Sequence, residues 1–346
     1  MRQKEPSQLD RMLQIAAGAT LSLSQHNQPH ALLPTGNSVP LASEPFYSWL
    51  SQALSEKGFN PSASQLGHLT RQLDAQAHNH PRYEQIHFRA VKTAAKSYKF
   101  DLNNSGCQVI ELTPSGWKVD IDFETRIFRP DASLPYLYPE RVKPKFHQCL
   151  EKLFHLKTET AKHLTAWIIQ ALLPGETPAA LVITGKARHQ AAEKIRTMID
   201  PNVCPIQAMP GTIRQLGRLA ISNSIMAFSI GHQLTPNRLA ALNELRTGLM
   251  VELRQVSKHR DPISAFVQRP VILSTEKVQK IHEGQLEIEI NDAEAMDRAH
   301  LLASLFNAAV VALEDLEERP VIVVELELEA PEIPPPLDPQ PHSPDP

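Results

Sequence analysis

The chain has 346 residues, enough for about two domains with cores of their own, and carries a net charge of −3. That balance, with an isoelectric point near 6.6, excludes a globally basic coat, so any contact with nucleic acid has to come from a local patch. Aromatic residues make up 5%, which argues against a broad base-stacking platform. Cys107, Cys149 and Cys204 are odd in number and widely spaced, the pattern of free, buried thiols in a reducing compartment. Leu13 to Leu23 is too short and interrupted for a signal sequence, and no run approaches the ~20 apolar residues of a membrane helix. A cytoplasmic protein without membrane contact is expected.

Residues 1–44 join a short helical pattern, Gln8 to Ala17, to a passage rich in Ser, Gln, His, Asn and Pro, and are expected to form a flexible leader. His26, His30, His78 and His80 lack Cys, Asp or Glu at ligand spacing and read as solvated side chains. Residues 45–140 read as a small α+β domain. Phe46, Trp49, Leu50 and Leu54 form one helical stripe, Gly58 to Pro61 breaks it, and Ser64 to Leu73 resumes it.

From Ile86 the apolar period changes to two. Ile86, Phe88 and Ala90 alternate, as do Tyr98, Phe100 and Leu102, and Asn103 to Gly106 makes a hairpin turn. Val109 to Leu112, Trp117 to Val119 and Thr125 to Phe128 supply further strands of an antiparallel unit. Trp117 is expected as a core anchor. Arg89, Lys92, Lys96, Lys99 and Lys118 read either as a face for nucleic acid or as solvent-facing charges of an alternating sheet. Arg129 to Pro139 is an extended linker.

Residues 141–315 alternate helices with apolar strands. Helices are expected at Phe146–Phe154, Thr158–Leu173, Gln190–Ile199, Ile213–Leu219, Pro236–Thr247 and Ala293–Glu317; strands at Leu181–Thr184, Ile206–Met209, Ser224–Phe228, Pro270–Leu273 and Leu286–Ile290. The order predicts an α/β domain, a parallel sheet with helices on both faces. Between them, Val251 to Val256 and Ala265 to Val267 alternate around the basic tip Lys258-His259-Arg260. Residues 316–346 add an alternating strand, Val321 to Leu328, and a proline-rich acidic tail expected to be disordered.

The strand at Leu181, the turn Thr184-Gly185 and the following helix are the frame of a phosphate-binding loop, in which backbone N–H groups and a helix end hold phosphates. Its filling is missing. Counted from Gly185, the positions for the second glycine, the lysine and the magnesium-holding hydroxyl are Gln190, Ala191 and Ala192.

Ala166-Trp167, Leu172 to Gly175, Leu181 to Gly185 and Ile199 to Asn202 together resemble a family of ATP-binding proteins of bacterial mobile elements, similar to phage and plasmid primase-helicases of helicase superfamily three in the AAA+ class. The likeness extends through Leu112 to Val119, Phe128 to Pro130, Leu134-Pro135, Asn223 to Phe228 and Gln268 to Leu273. It implies a P-loop NTPase-like sheet that binds ATP and magnesium. It also implies that this chain is deleted through the loop, leaving Thr184, Gly185, Lys186, Arg188 and Lys194 as a vestigial phosphate region. The acidic Walker B position is Ser229, and Ser274 and Thr275 stand where the family has its polar sensor. Lys277, Lys280 and His282 are the cations available where the family's arginine segment is not recognisable.

An arginine finger alone is worth about 10³ to 10⁵ in rate, so losing loop, lysine and carboxylate together predicts no turnover and no bound ATP or magnesium. Anion binding by Lys186, Arg188 and Lys194 at the helix end stays open. The likeness, in which an arginine matches Arg254, makes Arg254, Lys258 and Arg260 candidate contacts to the phosphates of single-stranded DNA; the alternative is a solvated hairpin tip. It admits a homo-oligomeric ring or co-assembly with an active paralogue. The competing expectation is an ATPase or DNA helicase whose nucleotide site is displaced.

Overall fold

In a computed structural model of the chain, the described residues are 6–24, 28–84, 86–104, 106–122, 125, 127–128, 133–136, 139, 145–175, 178–254, 263–277, 285–294 and 298–315. Helix α1 (Gln8–Ala16) starts at Ser7, whose hydroxyl accepts from the Asp10 amide while the Asp10 carboxylate accepts from the Ser7 amide. Strands β1 (Thr20–Ser24), β2 (Pro29–Leu32) and β3 (Ser38–Pro40) follow, then helices α2 (Glu44–Glu56) and α3 (Ala63–Asn79). Met12, Ala31, Val39, Phe46, Leu50 and Leu69 share one core.

The segment expected to be a flexible leader is therefore folded into the N-terminal unit. Its polar composition hid this, because Ser22, Ser24, His30 and Ser38 are buried within the strands. His30 in particular is not solvated but 2% exposed. Among the other histidines, the Nδ1 of His78 lies 2.8 Å from the Asp74 carbonyl, and His26 lies outside the described residues.

Strands β4 (Tyr83–Glu84), β5 (His87–Phe88), β6 (Ala90–Ala94), β7 (Ser97–Asp101), β8 (Gln108–Thr113), β9 (Gly116–Ile121) and β10 (Ile127–Phe128) complete a ten-stranded sheet. Its order is β4-β1-β2-β3-β10-β5-β6-β7-β8-β9. From β6 to β9 it is an antiparallel meander, as the period-two alternation predicts. The parallel pairings of β10 with β3 and β5, and of β4 with β1, join segments far apart in sequence.

Several of the basic residues of this sheet are engaged within it. Lys99 pairs with Asp122 at 2.7 Å and Lys118 with Glu111 at 2.9 Å. Lys92 lies over the Tyr98 ring at 5.8 Å, Lys96 takes a left-handed position with φ 62°, and Arg89 is 4% exposed.

The second unit consists of α4 (Phe146–Phe154), α5 (Thr158–Leu172), β11 (Leu181–Thr184), α6 (Arg188–Ile199), β12 (Gln207–Ala208), α7 (Ile213–Ile221), β13 (Met226–Ile230), α8 (Pro236–Thr247), the hairpin β14 (Leu249–Arg254) and β15 (Ile263–Val267), β16 (Val271–Thr275), β17 (Leu286–Glu289) and α9 (Arg298–Asp315). Its sheet runs β12-β13-β16-β11-β17, and every pairing is parallel. The wholly apolar strands sort their residues by a period of two. Ala227, Ile272, Leu181 and Ile183 face a core that includes α4, α5, α6 and α9. Met226, Phe228, Val271 and Leu273 face α7, α8 and the hairpin.

Helix α9 is shared between the two sheets. Its Phe306 ring lies 5.3 Å from that of Phe100 and 6.1 Å from that of Trp117, and the Trp117 indole N–H donates to Asn307 at 2.9 Å. Trp117 is thus half-buried and ties the two units together rather than anchoring one. Cys107 is buried as expected, whereas Cys204 is exposed. Residues 321–328 and the proline-rich tail lie outside the described residues.

Candidate functional site

In an open parallel sheet, ligands bind beyond the carboxyl ends of the strands, where neighbouring connections leave in opposite directions. Here the chain leaves β11 toward β12 on one side of the sheet, and leaves β16 toward β17 on the other. The switch point lies between β11 and β16. Ile183 pairs with Ser274 and Ser229 with Ser274, so Thr184, Gly185, Ser229, Ser274 and Thr275 lie at this one end of the sheet.

What fills the edge is the chain itself. Gly185 has φ +93°, and a Cβ on it would fall 2.3 Å from the Ile290 carbonyl oxygen. The Ala187 amide donates to that same oxygen at 3.1 Å, and the Lys186 amide donates to the Asn291 side chain at 3.2 Å. The Ile290 amide in turn donates to the Thr184 carbonyl at 2.9 Å. Backbone donors that a working loop would aim at phosphate are therefore spent on Ile290 and Asn291, the two residues that follow β17.

The nearby cations are also engaged. Arg188 donates to the Gly185 carbonyl at 3.2 Å and pairs with Glu276 at 2.9 Å. Lys194 points to the carbonyls of Ala293 and Glu294, and desolvation lowers its pKa against the pull of Glu193, Asp292 and Glu294. Lys186 is exposed.

The Ser274 hydroxyl, fully buried, lies 2.9 Å from His189 Nδ1, and Thr275 donates to the Lys277 carbonyl at 2.9 Å. Neither is turned to a ligand. Magnesium triphosphate does not fit these residues: the cradle is occupied by the chain, Ser229 offers no carboxylate, and Glu276 neutralises Arg188.

The hairpin is present as expected. Leu249 pairs with Val267 and Val251 with Ala265, and a register shift separates Glu252 from Arg254. Arg254 closes β14, while Lys258, Arg260, Lys280 and His282 lie outside the described residues. Lys277 is exposed. Among the described residues no three His, Cys, Asp or Glu side chains are grouped to hold a metal, and no helix is long and apolar enough to cross a membrane.

One cluster escaped the sequence reading. Asp200, 1% exposed, accepts from Arg89 Nε, from Arg196 and from the Ser224 amide, each at 3.2 Å. Arg196 also donates to Asn223 at 2.7 Å, and Arg89 reaches Ser133 at 2.7 Å and the carbonyls of Leu134 and Pro201 at 2.9 Å. The Tyr136 ring lies 4.8 Å from the Arg89 guanidinium, and burial raises its phenol pKa. Arg269 donates to the Ala220 and Asn223 carbonyls at 2.9 and 2.6 Å, and burial pulls its pKa down to about 10.

Asp200, Asn202, Asn223 and Arg269 are among the residues that carried the family resemblance, and here they form an internal brace. The signal was available: none of them belongs to the phosphate chemistry.

No protein-family model and no curated protein matches the chain. Among solved structures it is similar to an apo structure, A form, of the NrS-1 C-terminal region, at 10% sequence identity and a TM-score of 0.44 over 90% of this chain and 69% of that one.

Proposed function

We propose that the protein is a catalytically degenerate relative of mobile-element primase-helicase ATPases, acting in element replication as a nucleic-acid-associated or subunit-docking protein. The observation that supports this most is the closure of the crevice beyond β11 by the Ile290 carbonyl and the Asn291 side chain. A scaffold that retains its strand order while its own backbone occupies the phosphate position is suited to holding partners in place, not to turning over nucleotide. The exposed Lys186 adds one cation at the helix end, too little to replace loop, lysine and metal together.

In this reading the β14–β15 hairpin meets the backbone of single-stranded DNA through Arg254, Lys258 and Arg260, and the parallel sheet lets the protein join a ring of its own copies or of an active paralogue. The test is calorimetric titration of the full chain with magnesium-ATP to millimolar concentration, beside a phosphate-release assay. No heat of binding and background turnover are expected. Saturable binding would replace this reading with the competing one, an ATP-dependent helicase whose nucleotide site is displaced. Elution from a sizing column at low salt, with and without single-stranded DNA, reads the assembly state.

A further inference from the structure

Away from the closed crevice, the two units meet over a cavity of about 260 Å³. Gln28, His30 and His87 contribute from the N-terminal sheet, the turn Leu173 to Gly175 comes from the end of α5, and Ser224 and Phe266 to Pro270 complete the wall. That volume falls just below the usual range of ligand pockets, about 300 to 1,000 Å³, and suits a ring-sized group rather than a triphosphate.

The wall is close to neutral. Arg269 is the one lining residue with a fixed charge, and its guanidinium is directed at the carbonyls of Ala220, Asn223 and Gln268. Desolvation holds both imidazoles below their ordinary pKa, His30 at about 4. An ammonium would lose its water here without a counter-charge, and an anion would meet a cation whose donors are already given to three carbonyls, whereas a neutral ring carrying both donors and acceptors would exchange water for amide, imidazole and hydroxyl partners.

Two details select such a ring. The buried Ser224 hydroxyl has no hydrogen-bond partner among the described residues, and a buried hydroxyl left so carries a penalty that a ligand would relieve. Phe266 lies at the cavity 55% exposed. Its ring rests on Gly248, where a Cβ would come within 2.1 Å of it, and its cross-strand partner Met250 is 63% exposed. An aromatic face kept open beside neutral donors and acceptors is how proteins hold an unstacked base.

We infer that this cavity binds a neutral purine or pyrimidine ring, stacked on Phe266 and hydrogen-bonded at its edge by Ser224, Gln268 and the imidazoles of His30 and His87. The ring belongs either to a free nucleoside or to an unpaired base of a strand. Only the second source rests on the proposed strand contact at the hairpin, since Phe266 stands on β15 itself.

The experiment uses the full chain and three probes: thymidine and adenosine, a labelled 20-mer of deoxythymidine, and an abasic 20-mer of the same length and charge. Saturable nucleoside binding, or binding of the base-bearing 20-mer at least tenfold tighter than of the abasic one, is expected. Phe266→Ala is expected to weaken the base-dependent binding roughly tenfold and to leave abasic binding unchanged. Ser224→Val, which fills the space and removes the hydroxyl, serves as the independent variant and should act in the same direction.

Nucleoside binding with no affinity for either 20-mer would keep the cavity and remove the strand contact. Equal affinity for the two 20-mers with no nucleoside binding would overturn the cavity and keep the strand contact. Base-dependent binding untouched by both variants would also overturn it.

Discussion

Gly185 holds φ at +93° with the Ile290 carbonyl where a side chain would begin. In an intact phosphate loop a glycine in such a turn serves the ligand; here it serves the approach of β17. Gly185→Ala combines a left-handed conformation, costing about 1 to 3 kcal/mol, with displacement of the Ile290–Ala187 hydrogen bond. A loss of roughly 2 kcal/mol or more in urea-unfolding stability is expected, and an unchanged midpoint would show that the crevice is not closed by β17.

His30 gives a second residue-scale outcome. Its folded pKa, lowered by burial to about 4, lies below the ordinary value near 6.5. A neutral imidazole in the folded state contributes stability that is fully present above about pH 6.5 and lost as pH falls toward 4, because the unfolded chain takes up the proton first. The wild-type protein should lose up to about 3 kcal/mol more between pH 7 and pH 4 than His30→Leu, compared by urea unfolding. Parallel pH profiles would show that His30 is not buried.

At the scale of elements, the hairpin β14–β15 divides its residues cleanly. Leu249, Val251 and Val267 are buried, while Met250 and Phe266 are exposed. Gly217 admits this packing, since a Cβ there would lie 2.5 Å from the Val251 side chain. The inward face fixes the hairpin on α7 and α8; the proposed strand contact, through Arg254 and the basic residues Lys258 and Arg260, is an electrostatic one. Each phosphate neutralised on a single strand contributes about 0.7 to the slope of log affinity against log salt. Replacing Arg254, Lys258 and Arg260 together with alanine should therefore reduce that slope by about 2. An unchanged slope would exclude the tip from the contact.

Across the whole molecule, the brace around Asp200 and the shared helix α9 join the two units. Arg89 from the N-terminal sheet meets Asp200 and the Pro201 carbonyl from the second unit, and Trp117 meets Asn307. Breaking a buried ion pair costs about 3 to 5 kcal/mol where the other charge is left uncompensated; Asp200 keeps Arg196 at 3.2 Å when Arg89 is removed, so a smaller loss is expected here. One cooperative unfolding transition is expected by calorimetry, and Arg89→Leu should lower it or split it in two. Two separate transitions in the unaltered protein would mean that the brace does not couple the units.

Most of the second unit was legible in its sequence. Leu181–Thr184 became β11 and Pro236–Thr247 became α8, because period-two and period-3.6 burial are local properties written into consecutive residues. That Gln190, Ala191, Ala192 and Ser229 supply neither lysine nor carboxylate was equally a matter of residue identity. Tertiary structure alone decided that Ile290 and Asn291 close the crevice, that Arg89 is an internal brace rather than a surface cation, and that polar β1 to β3 enter the N-terminal sheet. Each of these depends on groups whose separation along the chain runs from tens of residues, as between Leu23 and Tyr83, to more than a hundred, and burial of a polar side chain is favourable only once its distant partner is in place.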